Sequence, residues 1–356
     1  MSTLRVGLVG AGLMGQEHAR NLLAIDGVAV TAVADPDPGS RRQAEVLLAA
    51  MAPLVVPDHR DLLADGVCDA VIVSTPNMTH AAVATDVVKA GLPLLVEKPL
   101  CTTVEDCRAL AAAAESGPPV WVGLEYRYLR PIRMLLDEVA AGTAGPVRMV
   151  GIREHRFPFL PKVGDWNRFN RNTGGTLVEK CCHFFDLMHL VTGAEPVAVM
   201  ASGAQDVNHL DERYGGERPD ILDNAYVIID FADGSRGMLD LCMFADASRF
   251  EQEVVVVGDA GKLEALLPDG GLRVGRRGVH GLGAVEERPA VASGAGYEGL
   301  HYGASYWQDT AWVESVRTGA PPLVGVDDGL RSVAVGVAAH RSIDEGRRVE
   351  LAEVLK

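Results

Sequence analysis

The segment LRVGLVGAGLMG, residues 4–15, decides how the first part of this 356-residue chain folds. It begins with the apolar run Leu4–Val9, which predicts a strand buried on both faces. The glycine-rich residues 10–15 (GAGLMG) follow directly, and a helical pattern runs over Leu13–Ile25. A strand, a glycine turn and a helix in this order form the context in which GxGxxG holds the pyrophosphate of a dinucleotide.

Three glycines and one carboxylate specify the predicted ligand further. Gly10 permits the tight turn, Gly12 lets the backbone approach a pyrophosphate, and Gly15 lets the helix pack closely on the strand. Asp35 ends the next buried strand, 20 residues after Gly15, where its carboxylate is placed to accept hydrogen bonds from the adenosine ribose. Because that carboxylate would repel a 2′-phosphate, the sequence favours NAD over NADP.

Strand and helix patterns alternate through the first ~120 residues, which predicts a doubly wound parallel sheet of about six strands. After Gly123 the strands run longer and alternate apolar with polar residues, as in an antiparallel sheet with one open face. A helical pattern covers Thr176–Leu190, and the Gly- and Ala-rich residues 279–296 are predicted to form a loop. We therefore expect an α/β chain with a Rossmann domain at 1–123 and an α+β domain at 124–356.

Composition narrows the possible partners. The chain has a net charge of −15, so its surface repels phosphate backbones and anionic lipid, and we expect neither nucleic-acid nor membrane binding. No apolar run reaches the ~18–20 residues of a membrane-spanning helix, and the glycine-broken N-terminus does not fit a signal peptide. Six cysteines without a framework spacing indicate reduced thiols and a cytoplasmic protein.

The motif STPNMTH, residues 74–80, follows a strand that ends at the carboxyl edge of the predicted sheet, where ligands of open α/β sheets bind. Thr75 and Asn77 are placed to contact the cofactor ribose. His80 stands at the start of a helix, so a packing or capping role is the alternative to cofactor binding.

The motif Glu97-Lys98-Pro99 follows the next apolar strand at the same edge. Lys98 is placed there to hydrogen-bond a reacting hydroxyl or carbonyl and to stabilise developing negative charge on oxygen. A strand-ending salt bridge on the surface is the alternative. Pro99 fixes the local turn, at a position where an X-Pro bond can be cis.

The segment GGTLVEKCCHFFD, residues 174–186, places Glu179, His183 and Asp186 on one stripe about 60° wide if a helix begins near Thr176. This grouping suits general acid–base chemistry, because one carboxylate orients the imidazole while its free nitrogen takes a proton. The alternatives are an amphipathic helix with a solvated ion pair and a Cys/Cys/His zinc site. Adjacent cysteines are poor tetrahedral ligands, and we expect no metal.

These motifs, in this order and on this domain plan, resemble the glucose–fructose oxidoreductase/inositol dehydrogenase family (Gfo/Idh/MocA) over nearly the whole chain. The Glu97-Lys98-Pro99 motif together with His183-x-x-Asp186 carries the resemblance, and residues 306–350 are similar to the closing helix and strand of the family. The resemblance implies a Rossmann domain followed by an α/β domain with a large, open, mainly antiparallel sheet. Members commonly oligomerise through that sheet, so we expect a homo-oligomer, a dimer or a tetramer.

The resemblance also implies roles for site residues. In such proteins the lysine of the EKP motif touches substrate and nicotinamide, a role that falls here to Lys98 with Glu97 beside it. His183 is similar to the family histidine often assigned as proton acceptor, and Glu179 stands where a substrate-binding aspartate is usual. Lys180 departs from the family pattern and is expected to redirect specificity or act as a second base.

The remaining expected positions fall into two groups. Substrate binding is expected at Asp186, Lys180, Arg127, Tyr128 and Trp166, and the segment His301-Tyr302 is expected near the pocket. Cofactor binding is expected at Gly10, Gly12, Leu13, Met14, Gly15, Asp35, Thr75, Pro76, Asn77, His80, Glu97 and Lys98.

We therefore expect an NAD-dependent oxidoreductase that transfers a hydride from a secondary alcohol of a sugar, glycoside or cyclitol to the nicotinamide. Transient oxidation with recycling of NAD, during glycoside cleavage, elimination or epimerisation, is one alternative, and reduction of a keto-sugar is another. A dinucleotide-sensing regulator is the non-enzymatic alternative. Such a regulator should have lost the lysine or the histidine, whereas this chain retains Lys98 and His183.

Overall fold

The chain forms two β-sheets, and a computed structural model describes its residues 3–64, 66–278 and 281–356. The first sheet has six short, largely apolar strands. In chain order they are β1 (Leu4–Val9), β2 (Val28–Ala34), β3 (Leu54–Val56), β4 (Ala70–Val73), β5 (Leu94–Glu97) and β6 (Val120–Gly123). They lie in the order β3-β2-β1-β4-β5-β6, and each described pair is parallel. This strand order is that of a Rossmann domain and confirms the predicted doubly wound sheet.

Five helices connect the strands of this parallel sheet. They are α1 (Leu13–Leu23), α2 (Pro38–Leu47), α3 (His59–Leu62), α4 (His80–Lys89) and α5 (Val104–Ala114). Side-chain oxygens of Asp37, Asp58 and Thr103 accept hydrogen bonds from backbone amides at the starts of α2, α3 and α5. Helix α1 begins after Gly12 and has no side-chain cap. Its first amides therefore face the end of β1 without a protein side chain as acceptor.

The second sheet is large and mixed. Its strands are β7 (Val147–His155), β8 (Pro196–Ala204), β9 (Asn224–Phe231), β10 (Arg236–Cys242), β11 (Gln252–Gly258), β12 (Gly261–Leu267), β13 (Gly271–Arg276), β14 (Val285–Arg288) and β15 (Val349–Glu350). They lie in the order β14-β13-β12-β11-β7-β10-β9-β8-β15. Within the described residues β7 and β10 pair in parallel, and the other neighbours are antiparallel.

Helices cover one face of this sheet and leave the other open. The helices after β6 are α6 (Arg130–Ala140), α7 (Asn170–Thr173), α8 (Thr176–Glu179), α9 (Cys182–Thr192), α10 (Ala304–Thr318), α11 (Val326–Glu345) and α12 (Leu351–Val354). Helix α9 packs against β7, and α11 packs against β8. On β9, Val227 is buried whereas its neighbours Tyr226 and Ile228 are exposed. The alternation confirms the sequence prediction of a sheet with one open face.

One predicted loop contains a strand. Residues 279–296 include β14, which pairs with β13 and carries Glu287 in an ion pair with Arg273. Residues 279 and 280 of that predicted loop lie outside the described residues. The strand β14 was not predicted because its sequence is charged. An edge strand whose side chains are mostly solvated lacks the apolar alternation that predicts a strand.

The predicted helix over Thr176–Leu190 is interrupted. Helices α8 and α9 are separated by a turn at Lys180 and Cys181. In an unbroken helix the carbonyl of Glu179 would accept from the amide of His183. Here it accepts a hydrogen bond from Lys98 Nζ at 3.1 Å. The expected single helical stripe therefore does not form, and the break brings the end of β5 to this turn.

The helices near the end of the chain pack against both sheets. Helix α10 packs against α1, and α11 packs against α5 and β6 as well as β8. The amide of Val122 donates to the carbonyl of Val324 at 3.1 Å, and Trp121 Nε1 donates to Ser315 Oγ at 3.3 Å. Residues after 304 thus contribute to the core around the parallel sheet.

Candidate active site

The glycine turn after β1 packs tightly against the protein at Gly10 and Gly15 and leaves open space at Gly12. Gly10 has a φ of +93°, and a Cβ there would lie 2.6 Å from a backbone carbonyl oxygen just after β4. A Cβ on Gly15 would overlap the carbonyl oxygen of Gly10, whereas a Cβ on Gly12 would meet no atom within 4 Å. The open side lies at the uncapped start of α1, where Leu13 and Met14 begin the helix. This cradle fits a pyrophosphate.

Two polar side chains after β2 and β4 fit the rest of a dinucleotide. The carboxylate of Asp35 accepts hydrogen bonds from the amides of Ala11 at 2.7 Å and Asp37 at 2.8 Å, which fixes it against the glycine turn. Asn77 is buried, and its Nδ2 has no acceptor among the described residues. Because buried amides are normally hydrogen-bonded, Asn77 is suited to a ligand oxygen.

His80 and Thr79 hold the loop after β4. The ring of His80 is fully buried, and its Nδ1 and Nε2 lie 2.8 and 2.9 Å from the carbonyl oxygens of Pro99 and Thr75. The hydroxyl of Thr79 lies 2.7 Å from the hydroxyl of Thr75 and 2.7 Å from the carbonyl oxygen of Pro76. His80 therefore ties the loop after β4 to the loop after β5 and has no free ring nitrogen to offer a cofactor. This is the structural alternative left open by the sequence.

A buried histidine of α1 joins the end of β5 to helix α10. His18 Nε2 lies 3.0 Å from Glu97 Oε1, and His18 Nδ1 lies 2.9 Å from Asp309 Oδ2. Burial lowers the pKa of His18, but the two carboxylates outweigh burial and raise the pKa well above 6.5. An imidazolium between two carboxylates therefore holds Glu97 inside the protein. The alternative of a surface salt bridge within the Glu97-Lys98 pair is wrong.

Lys98 extends from the end of β5 to the turn between α8 and α9. Its Nζ donates to the carbonyl oxygen of Glu179, and the peptide bond between Lys98 and Pro99 is cis. Burial lowers the pKa of Lys98, but acidic neighbours that include Glu179 and Glu125 raise it above 10.5. Lys98 is therefore an ammonium at neutral pH, with further protons to donate to a substrate oxygen.

His183 is a neutral, buried imidazole at the start of α9. Its ring stacks on Tyr126 with centroids 4.1 Å apart, and its Nε2 lies 3.5 Å from Glu125 Oε1. The other nitrogen, Nδ1, is buried and has no partner among the described residues. Burial, together with the positive charges of Lys98 and Lys180, lowers the pKa of His183 well below 6.5. A neutral ring with one unpartnered nitrogen has the form of a general base.

Asp186 does not orient His183 as the sequence suggested. Both of its carboxylate oxygens accept hydrogen bonds from Arg127, which also lies 3.3 Å from Asp328. The carboxylate nearest to the imidazole is that of Glu125, because the interrupted helix gives Asp186 a different neighbour. Arg127 and Asp186 thus clamp the segment after β6 to α9 and α11, and both are occupied by each other rather than placed for a substrate hydroxyl.

The carboxyl group of Glu179 is buried among cations. Its Oε2 has no hydrogen-bond partner among the described residues. Burial raises the pKa of Glu179, and the nearby positive charges of Lys98 and Lys162 oppose that increase. The unsatisfied oxygen fits a substrate hydroxyl, as the sequence predicts for this position.

Lys180 contacts Tyr126, whose ring stacks on that of His183. Its Nζ donates to the hydroxyl of Tyr126 at 2.8 Å and lies 3.0 Å from Glu154 Oε1. Burial and Arg156 lower the pKa of Lys180, while Glu154 opposes that decrease. The described contacts of Lys180 are therefore protein groups, and it supports the ring against which His183 packs.

Two expected substrate residues remain apart from these contacts. Tyr128 is buried, and burial raises the pKa of its hydroxyl to about 12. Trp166 lies in a 3-10 segment over Val163–Arg168, and its carbonyl accepts from Asn172 Nδ2 at 2.8 Å. Neither side chain hydrogen-bonds to another described residue of the site.

Sequence reasoning did not single out Glu125, His18 and Asp309. Glu125 could have been found by the logic applied to Glu97-Lys98, since it is a charged residue that directly follows a buried strand at the same sheet edge. His18 and Asp309 lie on the buried sides of helices, and nothing in their spacing predicts that α1 meets α10.

In the ranges 3–64, 66–278 and 281–356, no three His, Cys, Asp or Glu side chains are grouped to hold a metal ion. The same ranges contain no helix that is long and apolar enough to span a bilayer. The six cysteines are free thiols.

Comparison with known proteins gives matches along the chain. The C-terminal alpha/beta domain of the oxidoreductase family GFO_IDH_MocA matches residues 137–351, and the NAD-binding Rossmann fold of that family matches residues 4–124. Myo-inositol 2-dehydrogenase of Thermotoga maritima is 28% identical over 99% of this chain and 100% of that protein. Rhizopine catabolism protein MocA of Rhizobium meliloti is 31% identical over 68% and 72%. The crystal structure of GenD2 from gentamicin A biosynthesis in complex with NAD is 29% identical, with a TM-score of 0.80 over 98% and 97% of the two chains.

Proposed function

Because the chain belongs to the Gfo/Idh/MocA family and is an NAD-dependent dehydrogenase acting on CH–OH groups, we propose that it oxidises a ring hydroxyl of a cyclitol or a cyclic sugar to a ketone. Several curated relatives along nearly the whole chain are inositol 2-dehydrogenases, which makes inositols the first substrates to test. A polyol also suits a site with several hydrogen-bonding side chains, since each buried hydroxyl needs a partner.

The observation that carries this proposal is the turn between α8 and α9. There the carbonyl of Glu179 accepts from Lys98, four residues before His183 in the chain. The charged ammonium of Lys98 thus lies close enough to lower the pKa of His183, a neutral imidazole with an unpartnered nitrogen. This pair supplies what alcohol oxidation requires, a proton acceptor and a cation for the developing alkoxide.

Three side chains act on the substrate in the proposed reaction. NAD, when bound, accepts the hydride from the carbinol carbon. His183 takes the hydroxyl proton at Nδ1, Lys98 donates a hydrogen bond to the same oxygen, and Glu179 holds a neighbouring hydroxyl. Lys98 also keeps His183 neutral before the reaction, because its positive charge opposes protonation of the imidazole.

The test is NADH formation across a panel of inositol isomers, monosaccharides and glycosides, with NAD binding measured separately. We expect turnover with at least one cyclitol or sugar, and a loss of kcat of about 10²–10⁴-fold in Lys98→Ala and His183→Ala. Lys262→Ala, on the exposed part of β12, is the matched lysine control and should retain full activity. No turnover with any panel member at full NAD occupancy would overturn the proposal.

The same panel separates the alternatives. Release of an aglycone from a glycoside without net NADH would favour transient oxidation with recycling of NAD. Oxidation of NADH by a keto-sugar that greatly outpaces the forward reaction would favour a reductase. Full biological activity of Lys98→Ala would favour a dinucleotide-sensing regulator.

A homo-oligomer through the open sheet face is also part of the proposal. Met200, Ile228 and Met238 lie side by side on β8, β9 and β10, and each is roughly half exposed. An apolar row across three strands favours contact with a second apolar surface over contact with water. Association of two such faces into a dimer or a tetramer is the expected state in solution.

A further inference from the structure

Four titratable side chains form a line of contacts that begins at His183 and includes one member exposed to solvent. Nε2 of His183 lies 3.5 Å from Glu125 Oε1, and Nε2 of His301 lies 3.6 Å from the same oxygen. Nδ1 of His301 lies 3.0 Å from Glu17 Oε1. Glu125 follows β6, His301 precedes α10 and Glu17 lies in α1, so three separate parts of the chain converge on this line.

The exposure of these side chains changes along the line. His183 and Glu125 are each 2% exposed, Glu17 is 3% exposed, and His301 is 25% exposed. His301 is therefore the member that reaches solvent. Glu125 Oε2 is buried without a partner among the described residues, so the ion-pair contacts given for this carboxylate are the two imidazoles that face Oε1.

We propose that Glu125 and His301 relay the proton of the substrate hydroxyl from His183 to solvent. This inference rests on the proposed role of His183 as proton acceptor. In that role the imidazole becomes an imidazolium in every turnover, and it is buried and next to Lys98. The ring must lose its proton before the next cycle, and Glu125 is the carboxylate that faces its second nitrogen.

The relay consists of four proton transfers. The substrate hydroxyl loses its proton to Nδ1 of His183 as its carbon loses a hydride to NAD. His183 then gives the proton on Nε2 to the Glu125 carboxylate, which becomes a carboxylic acid. Glu125 passes a proton to Nε2 of neutral His301, and His301 releases a proton from Nδ1 to water. The sum is one alcohol and NAD converted to one ketone, NADH and a solvent proton. Each imidazole is left with its proton on the other nitrogen, and a half-turn of the ring restores the starting tautomer before the next cycle.

The charges around Glu125 suit this exchange. Burial raises the pKa of Glu125 to about 7; Glu97 acts in the same direction, while His301 and Lys98 oppose it. Burial lowers the pKa of His301, but Glu17, Glu125 and Glu97 raise it above 6.5 overall. Burial thus favours the protonated form of Glu125, and the surrounding carboxylates favour the protonated form of His301, so each group can hold the proton in transit.

The first test replaces the shared carboxylate. In Glu125→Gln we expect NADH to appear in a burst stoichiometric with enzyme sites, followed by a steady state roughly 10²-fold slower than the wild type. The burst is expected because His183 begins neutral, and the slow phase because its proton has no exit. A steady-state rate and a pH profile equal to those of the wild type would overturn the relay. A slow reaction without a burst would also overturn it, since it would indicate that Glu125 only orients the ring.

The second test replaces His301, the most exposed of the four side chains. His301→Ala should lower kcat about tenfold or more in weak buffer, and added imidazole or 4-methylimidazole should restore it to different extents that follow their pKa values. His155→Gln is the matched control, because His155 is 26% exposed and lies 3.1 Å from Asp240. It should retain wild-type kcat. Absence of imidazole rescue in a folded His301→Ala would overturn the relay.

Failure of the relay and failure of the proposed function give different results. If His183→Ala is inactive while Glu125→Gln and His301→Ala keep the wild-type turnover, the relay alone is wrong. If His183→Ala retains full activity, the proposed role of His183 is wrong and the relay falls with it.

Discussion

Replacing Asp309 by Asn tests the imidazolium that joins the two ends of the chain. The fully buried His18 lies between Glu97 and Asp309 at 3.0 and 2.9 Å, and the two carboxylates raise its pKa well above 6.5. Removing one partner of a buried charge pair costs about 3–5 kcal/mol. We expect Asp309→Asn to lower the free energy of unfolding by that amount at pH 6.

The expected pH dependence follows from the direction of the His18 shift. Its folded-state pKa lies above the unfolded value of about 6.5. The stabilising contribution is therefore complete below pH 6.5 and is lost as the pH rises through the folded-state pKa. The difference between wild type and Asp309→Asn should be largest at pH 6 and should narrow at alkaline pH, where His18 becomes neutral in the wild type.

Urea unfolding followed by tryptophan fluorescence between pH 6 and pH 10 measures both quantities. Asp240→Asn is the control, because Asp240 and His155 form a similar pair at 3.1 Å with side chains 21% and 26% exposed. That substitution should cost less than about 1 kcal/mol. Equal losses in the two variants, or a loss in Asp309→Asn that does not change with pH, would refute the reasoning.

Three further substitutions test the cofactor turn and the open sheet face. Gly15→Ala places a methyl group on the carbonyl of Gly10 and should weaken NAD binding at least tenfold, as measured by titration of the purified protein; unchanged affinity would contradict the packing. Asp35→Ser removes the carboxylate that would repel a 2′-phosphate and should raise kcat/KM for NADP about tenfold relative to NAD; an unchanged ratio in steady-state assays would show that Asp35 does not select the cofactor. Ile228→Lys places a charge in the apolar row of the open sheet and should lower the oligomeric mass measured by light scattering, whereas an unchanged mass would exclude this face as the interface.

The order of strands and helices could be predicted from the sequence, but the edge strand β14 and the break between α8 and α9 could not. The apolar strand β1 begins and ends where its residue pattern predicts, because a continuous apolar run after which a glycine turn follows is typical of a strand buried on both faces. β14 escaped prediction because its charges are satisfied by a neighbouring strand that the pattern does not reveal. At the break between α8 and α9 the carbonyl of Glu179 accepts from Lys98, which is 81 residues away in the chain.

In the candidate site, too, some residues could be predicted from local motifs, whereas some contacts depend on the tertiary structure. Lys98, Glu179 and Asn77 lie in local motifs whose chemistry is visible in the sequence. The partners of His183 and Asp186 are set by which strand ends meet, so the sequence assigned the wrong carboxylate to the imidazole. Asp309 has no local signature, since it acquires its role from His18 in a distant element. The only local sign of Glu125 is its position just after β6, and its contact with His183 is not visible in the sequence.

The attachment of α10 and α11 to the parallel sheet has a consequence for biosynthesis. On the ribosome the residues of β1 to β6 emerge first, yet Val122 and Trp121 must wait for partners at 324 and 315. Until that stretch leaves the exit tunnel, His18 has Glu97 but not Asp309. The nascent N-terminal part therefore exposes apolar surface and an incomplete ion pair for most of translation, and the cofactor-binding half reaches its final state only when the chain is nearly finished.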